Sequence, residues 1–264
     1  MNKHTGFSLC LAGLALFAFP ATGDATEFTW KGFYIGGNAG AGFGGDSSSV
    51  DLDGFNYFAN NPIPGEVTDV GTDSAFIGGG QIGYNYGFNR WVIGIEADLS
   101  AFDFQAAKIP DSSKADWGSD TRVSAEMNWL ATLRGRLGVA MDRWLIYGTG
   151  GVAFSDGEYR NHDFCNAVPP CGGGLIDAKG DMGAGWTVGG GAEFALMSNW
   201  TAKAEYLFVR FDREEYSGKA HYLDGSSEMY RFSSSPAEFN IVRVGLNYKF
   251  GGQYKAPPSE APLK

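Results

Sequence analysis

The feature that most limits the folds open to this chain is an alternation of apolar and polar residues that recurs after residue 30. In NRWVIGIEADLS, Trp91, Ile93 and Ile95 occupy one face, and Glu96 and Asp98 occupy the other. A period of two is typical of a β-strand with two different faces. Eight stretches follow this pattern, namely GFYIGGNAGAGF, AFIGGGQIGYNY, NRWVIGIEADLS, AEMNWLATLRGRLGV, WLIYGTGGVAF, AGWTVGGGAEFAL, NWTAKAEYLFVRF and EFNIVRVGLNYKF.

The connections between these stretches are sorted by length. Three are tight turns, at residues 87–90, 141–143 and 197–199, and four are long and polar, at about 45–73, 103–123, 155–183 and 212–237. Short connections at one end and long ones at the other are typical of a barrel whose ends face different compartments. We therefore predict an all-β fold, an eight-stranded antiparallel up-and-down transmembrane β-barrel, over residues 30–250.

Alternation alone does not say which face of the strands lies inside. The polar face carries five acids and five bases, which are Glu96, Asp98, Glu126, Glu193, Glu205, Arg134, Arg136, Lys203, Arg243 and Lys249. A water-soluble barrel would expose these charges, whereas a membrane barrel would enclose them. An eight-stranded interior has little room for the large apolar side chains, and an arginine in mid-bilayer costs about 2–4 kcal/mol. We therefore expect a lumen filled by ion pairs, with Glu96 and Asp98 near Arg134 and Arg136.

Aromatic residues mark both ends of the strands. Trp91, Trp144 and Trp200 each directly follow a short turn, which suits a membrane–water interface. A second girdle is expected toward the long connections, formed by Trp129, Trp186, Phe43, Phe104 and Phe154.

The two ends of the chain differ from the barrel in composition. Residues 1–23 have a lysine near the start, a short apolar run and small residues at the cleavage position, which predicts a signal peptide. Residues 24–29 form a short N-terminal segment, and residues 251–264 form a Pro-rich tail that we expect to be disordered in the periplasm. No later stretch has the roughly 18 consecutive apolar residues of a transmembrane helix.

Two cysteines, Cys165 and Cys171, follow the predicted signal peptide. In an oxidising compartment the default expectation is a disulfide. Metal ligation together with His162 and Asp163 is the alternative. We predict no metal site, because zinc sites need a closer cysteine pair and a further histidine or cysteine pair.

Three segments carry a family resemblance: WKGFYIGGNAGAGFGG, FIGGGQIGYNY followed by RWVIGIEADL, and NIVRVGLNYKF. They resemble the small outer-membrane β-barrel proteins of Gram-negative bacteria, which include outer-membrane immunogenic and haemin-binding proteins of the OmpA-like superfamily and are often labelled porins. The resemblance implies a place in the cell outer membrane, in contact with its lipid and lipopolysaccharide. It also implies that the barrel-insertion machinery reads the last strand, which ends at Phe250.

Charge in the long connections suggests where such a protein would act. The long connections carry 20 acids and 8 bases, a net charge of −12, whereas the net charge of the whole chain is −10. Nucleic-acid binding is disfavoured because it needs basic surfaces, whereas divalent cations or basic host proteins fit. We therefore predict a structural and interaction protein that contributes to envelope integrity and presents acidic extracellular loops.

Other functions stay open at this point. A haemin-binding protein would use the loop residues His162, His221, Tyr159, Tyr222 and Tyr230, and a narrow porin is a related alternative. A lipid-modifying enzyme that depends on one of the two histidines is a third. We assign no catalytic residue and no cofactor, because position alone identifies no set of nucleophile, histidine and carboxylate.

Overall fold

The computed structural model of the protein describes residues 28–44, 48–51, 67–69, 73–108, 122–164, 174–196, 199–222 and 224–250. The predicted signal peptide, the predicted tail and both Cys165 and Cys171 lie outside these residues. Within the described ranges, no helix is long and apolar enough to cross a membrane.

The regular secondary structure of the described residues consists of β-strands. The strands are β1 (Gly32–Gly44), β2 (Ser48–Asp51), β3 (Val67–Asp69), β4 (Asp73–Phe88), β5 (Trp91–Lys108), β6 (Arg122–Met141), β7 (Trp144–Ser155), β8 (Glu158–Phe164), β9 (Gly174–Asp181), β10 (Ala184–Ala195), β11 (Trp200–Phe211), β12 (Glu215–Tyr222), β13 (Ser227–Ser234) and β14 (Ala237–Lys249).

Eight of these strands close into a barrel. Going around it, the order is β1, β4, β5, β6, β7, β10, β11 and β14, and β14 pairs with β1 to complete the circle. Every neighbouring pair is antiparallel. The predicted fold class, an eight-stranded antiparallel barrel, is therefore confirmed.

Two of the short turns owe their shape to residues that tolerate a left-handed backbone. Asn89 has φ 52° between β4 and β5, and Asp142 has φ 50° between β6 and β7. Asparagine and aspartate adopt this conformation more readily than other residues with a side chain. Each turn therefore reverses the chain within two residues, and the connections at this end of the barrel are short.

The outward face of the barrel is apolar. Its exposed large residues include Ile35, Phe76, Ile93, Ile95, Leu99, Leu133, Leu137, Val152, Val188, Val242, Val244 and Leu246. On β7, Trp144 and Phe154 are ten residue steps apart, which corresponds to about 25 Å of membrane at the usual strand tilt. An apolar belt of this height around a closed barrel matches the hydrocarbon layer of a bilayer.

Beyond the apolar belt, at the end with the long connections, six further strands continue the sheet. β8 pairs with β6 and β9, β12 with β9 and β13, and β2 with β13 and β3. We call β2, β3, β8, β9, β12 and β13 the extension. These segments were expected to be long polar loops, and that expectation is wrong for the described residues. The reason is that alternate residues still face inward, such as Tyr216 and Ala220 on β12.

A bulge separates the barrel from the extension on β5 and β6. The register shifts between Ala101 and Phe104, and Asn128 and Trp129 are both exposed, so the inward face of β6 changes from even to odd positions. The Asp156 carboxylate fixes the bulge by accepting hydrogen bonds from the backbone amides of Asn128 and Trp129, at 2.9 and 3.0 Å. Partial burial alone would raise the pKa of Asp156, but these donors outweigh it and hold the pKa below its usual value.

This bulge corrects one predicted lumen residue. Glu126 lies beyond the bulge on β6 and is exposed, so its expected place in the lumen is wrong. Phe104 is a second correction, because it is buried rather than part of a girdle. It lies on the even-numbered face of β5, which also carries Glu96 and Asp98 and which turns inward.

The interior has three layers. The extension core is apolar and includes Phe102, Phe104, Phe211, Tyr216, Phe232 and Phe239. The charged layer lies next along the strands, because Glu205 and Leu207 follow each other on the inward face of β11. Below it a floor cluster closes the short-turn end, formed by Phe28, Trp30, Val92, Leu145, Tyr147 and Ala195.

Candidate functional site: the charged lumen

Inward-facing glycines make room for the long polar side chains. A Cβ added to Gly94 would lie 2.3 Å from Oδ1 of Asn85 and 2.9 Å from Cγ of Arg136. A Cβ at Gly83 would lie 2.3 Å from the Tyr34 hydroxyl. These glycines are therefore required by the close approach of side chains that cross the lumen from other strands.

Arg134 is the centre of the charged layer. Its Nη2 atom lies 2.5 Å from Oε1 of Glu96 and 2.9 Å from Oδ2 of Asp98, both on the neighbouring strand β5. Its Nη1 atom lies 3.2 Å from Oε1 of Glu205, across the lumen on β11. Its Nε atom donates to the Thr132 hydroxyl at 2.9 Å, and Thr132 donates in turn to Asp98.

Arg243, on β14, lies on the opposite side of the lumen and makes its closest contacts with two of these three acids, Asp98 and Glu205. Its Nη1 atom lies 3.0 Å from Oδ1 of Asp98, and its Nη2 atom lies 2.7 Å from Oε2 of Glu205. The Nε atom also donates to Glu205, at 2.8 Å. Both arginines are almost fully buried. Paired geometry of this kind is what allows a charge to be removed from water.

Lys203 adds a third cation to this group. Its Nζ atom lies 3.0 Å from Oε1 of Glu96 and 3.7 Å from Oε2 of Glu205. Tyr147 donates its hydroxyl to Oε1 of Glu205 at 2.8 Å. Each carboxylate of the layer is therefore shared among several donors, and the strands β5, β6, β11 and β14 are connected through it.

Arg136 and Glu193 extend the network toward β10. The Nη2 atom of Arg136 lies 2.9 Å from Oε2 of Glu193, and its Nη1 atom lies 3.6 Å from Oε2 of Glu96. Tyr34 connects the two groups, because it accepts from Arg136 at 2.9 Å and donates to Glu96 at 2.7 Å. Asn247 donates to Glu193 at 3.1 Å.

A chain of neutral amides completes the layer on β1, β4 and β14. Asn247 accepts from Gln81 at 2.6 Å, and Gln81 accepts from Asn38 at 2.9 Å. Because amide chains of this kind have complementary donors and acceptors at each step, they fill the wall between charged groups without adding charge.

Eight of the ten residues predicted for the lumen lie together in this layer. They are Glu96, Asp98, Arg134, Arg136, Glu193, Lys203, Glu205 and Arg243, four acids and four bases. Lys249 is also buried but donates to the backbone oxygen of Trp30 at 2.7 Å, below the network. Glu126 is outside. Five residues that were not predicted for the network also donate to its carboxylates from inward-facing positions, and they are Tyr34, Thr132, Tyr147, Thr201 and Asn247.

The buried acids of this layer are engaged by cations on several strands. Each of the four buried carboxylates contacts at least one buried cation at 3.0 Å or less. A general base needs a lone pair that substrate can reach, and here apolar layers lie on both sides of the acids. The charged layer therefore connects strands on different sides of the barrel through ion pairs.

The predicted haemin ligands do not converge. His162 on β8 and His221 on β12 are exposed on the outer face of the extension, whereas Tyr159 and Tyr230 are buried in its core. The side chain of Tyr222 lies outside the described residues. Among the side chains that the structure describes, no group of three or more His, Cys, Asp or Glu residues is placed to hold a metal ion.

The predicted interface aromatics lie on the outward face. Trp91, Trp144 and Trp200 begin β5, β7 and β11 at the short-turn end and are 44–47% exposed. Trp129, Trp186, Phe43 and Phe154 are exposed toward the other end. Phe250 follows β14, is exposed, and donates its backbone amide to the oxygen of Phe33 at 2.8 Å.

Comparisons with known proteins show what this chain is similar to. Residues 9–250 match the family model described as outer membrane protein β-barrel domain. The 31 kDa outer-membrane immunogenic protein of Brucella melitensis is 35% identical over 88% of this chain and 88% of its own length. The 22 kDa outer membrane protein of Rhizobium leguminosarum bv. viciae is 27% identical over 84% and 79%, respectively. The solved structure of OprG from Pseudomonas aeruginosa covers 83% of this chain and 97% of its own, with a TM-score of 0.45 and 15% identity.

Proposed function

The chain belongs to the outer membrane protein β-barrel domain family, and from this premise we propose that it acts at its long-connection end rather than through its lumen. In this proposal the barrel is a closed support in the outer membrane that strengthens the envelope and presents an acidic extracellular surface to cationic ligands or host proteins. The observation that carries the proposal is the filled interior, in which four acids and four bases are paired between two apolar layers.

Charge on the extension supports the same proposal. Its exposed acids, together with those at the adjoining ends of the barrel strands, include Glu126, Asp177, Asp181, Asp212, Glu214, Glu215 and Asp224. A surface with one predominant sign raises the local concentration of oppositely charged ligands, and the effect falls with ionic strength. The Brucella relative is named an immunogenic protein, which is consistent with presentation of this end to the outside.

The proposed partners of the remaining surfaces follow from the outward face. The apolar belt would contact outer-membrane lipid and lipopolysaccharide. The strand that ends at Phe250, with alternate outward residues Val242, Val244 and Leu246, would be read by the barrel-insertion machinery.

The first prediction concerns conductance. Because a pore wide enough for steady flow belongs to barrels of about 16 strands or more, we expect the purified protein to give no steady conductance in planar lipid bilayers. A 16-stranded porin inserted in the same bilayers serves as the positive control. Long-lived open steps of porin size from the refolded protein would contradict the closed barrel.

The second prediction concerns the acidic surface. An oligolysine peptide is expected to bind the protein in lipid nanodiscs, with an affinity that falls at least tenfold between 0.05 and 0.5 M salt. A triple variant, D212N/E214Q/E215Q, should weaken binding, because all three side chains are exposed where β11 leads into β12. The matched control is Lys219→Gln, an exposed base further along β12, and this substitution should strengthen binding. An oligolysine affinity that changes neither with salt nor in the triple variant would refute the proposed surface.

A further inference from the structure

The floor of the lumen contains polar groups that the charge network does not use, and we propose that they bind a small anion of the chloride type. The first of these groups is the Nε atom of Arg136. The two terminal nitrogens of this guanidinium are occupied by Tyr34 and Glu193, but Nε is buried and has no hydrogen-bond partner among the described residues. A buried N–H without an acceptor destabilises the folded state, so a ligand that accepts from it is favoured.

Asn85 provides the second group. Both its amide nitrogen and its amide oxygen are buried and without a partner in the described part of the chain. In the barrel Asn85 is opposite Gly94, and Gly94 is opposite Arg136, so the three form one row across β4, β5 and β6. Because Gly94 has no side chain, the amide oxygen of Asn85 and the stem of Arg136 share the space above it. The two orientations of an amide differ only by a rotation of about 180°, and the rotated amide would donate its nitrogen to an anion in this space.

Trp30 provides the third group. Its indole Nε1 is buried and unpartnered among the residues described. Trp30 stands two residues before Gly32, which pairs with Asn85 on β4, and its ring packs in the floor cluster with Tyr147. The Tyr147 ring lies 4.0 Å from the Cζ atom of Arg136. The indole therefore belongs to the same cluster as the ring on which the guanidinium stacks.

Charge decides between an anion and a neutral molecule. The buried charged side chains of the described lumen are four acids and five bases, and the additional base is Lys249. Its Nζ atom donates to the carbonyl oxygen of Trp30 and forms no ion pair within the described residues. Water could accept from the free N–H groups but would leave one positive charge uncompensated. An anion satisfies the donors and balances Lys249, and it explains why acids and bases differ by one in a closed compartment.

Bromide identifies this site directly, because its anomalous scattering marks its position in a crystal. Crystals of the refolded protein soaked in bromide are expected to show one buried anomalous peak within hydrogen-bonding reach of the Nε atom of Arg136 and the indole nitrogen of Trp30. A floor that contains only water, or no bound species at all, would give no anomalous peak there and would overturn the proposal.

Unfolding in two salts tests the same site in solution. At equal ionic strength, chloride should raise the urea midpoint of the lipid-reconstituted protein relative to gluconate, since a ligand that binds only the folded state stabilises it. Trp30→Phe removes one donor but keeps an aromatic ring in the floor cluster, so it should reduce this chloride dependence. Lys249→Met should abolish it, and the exposed control Lys219→Met should retain it.

Equal midpoints in chloride and gluconate for the unmodified protein would refute the site. So would a chloride dependence that survives unchanged in Trp30→Phe, a result that remains informative even where Lys249→Met does not fold. These outcomes are independent of oligolysine binding and conductance, because the floor lies at the opposite end of the barrel from the acidic extension.

Discussion

Replacing Arg243 by methionine is expected to lower the free energy of unfolding by about 3–5 kcal/mol, the usual cost of removing one member of a buried ion pair. Asp98 and Glu205 each lose a direct contact with the guanidinium, at 3.0 and 2.7 Å respectively, and remain buried. Methionine approximates the length of the arginine stem, so the loss reports charge rather than volume. The measurement is urea unfolding in lipid vesicles, followed by the difference in gel migration between unboiled and boiled samples.

Two further variants separate charge pairing from general damage. Arg210→Met removes an exposed arginine that lies 3.1 Å from Glu238, and an exposed pair contributes only about 0–1 kcal/mol. The double variant R243M/E205Q removes one charge of each sign, so its loss should be clearly smaller than the sum of the two single losses. A loss below about 1 kcal/mol for Arg243→Met would show that the pairing described for the lumen does not stabilise the barrel.

The barrel was predictable because alternation and charge point to the same answer. Glu96, Asp98, Arg134 and Arg136 fall on the polar face of adjacent strands, and a closed eight-stranded wall can place such a face only inward once the apolar face meets lipid. The approach of Arg243 to these acids was not predictable from neighbouring strands, because β14 reaches them across the lumen. Side chains that cross a lumen depend on shear and tilt, which a sequence pattern does not give.

The position of Glu126 illustrates a second limit. Alternation along β6 is interrupted at Asn128 and Trp129 by a carboxylate from Asp156, which is 28 residues further along the chain than Asn128. A bulge of this kind reverses which face the side chains occupy on its two sides, so residues before Asn128 face the opposite way from the pattern that holds after Trp129. Without the bulge the alternation of β6 would carry Glu126 to the inward face, which is why the sequence pattern predicts it there.

The floor and the extension were missed for a different reason. Phe28 and Trp30 precede the first strand, so no strand pattern assigned them an inward position, yet both are buried in the floor cluster. In the extension, the polar outward positions of β8, β9 and β12 dominated the composition and suggested loops. Their inward positions, including Tyr159, Ala178 and Tyr216, alternate as in the barrel but carry fewer large residues.

The second large effect is expected from Phe239→Ala in the extension core. The Phe239 ring lies 5.5 Å from Phe102, 5.1 Å from Phe104 and 6.3 Å from Phe211, measured between ring centroids. Truncating a fully buried phenylalanine costs about 3–5 kcal/mol, and here the cavity would open between the charged layer and the extension. We expect a lower urea midpoint in lipid vesicles and faster protease cleavage within the extension.

The matched control is Phe154→Ala, since this ring faces outward on β7 and its loss leaves no internal cavity. If the extension is one folded unit with the barrel, as shared packing on Phe239 implies, unfolding of Phe239→Ala should remain a single transition at lower urea. If cleavage of the extension rises while the barrel midpoint is unchanged, the two parts are stabilised independently. That result would mean that the apolar extension core does not stabilise the barrel. The proposal of a closed barrel with an exposed acidic end would then be supported by the charge network alone.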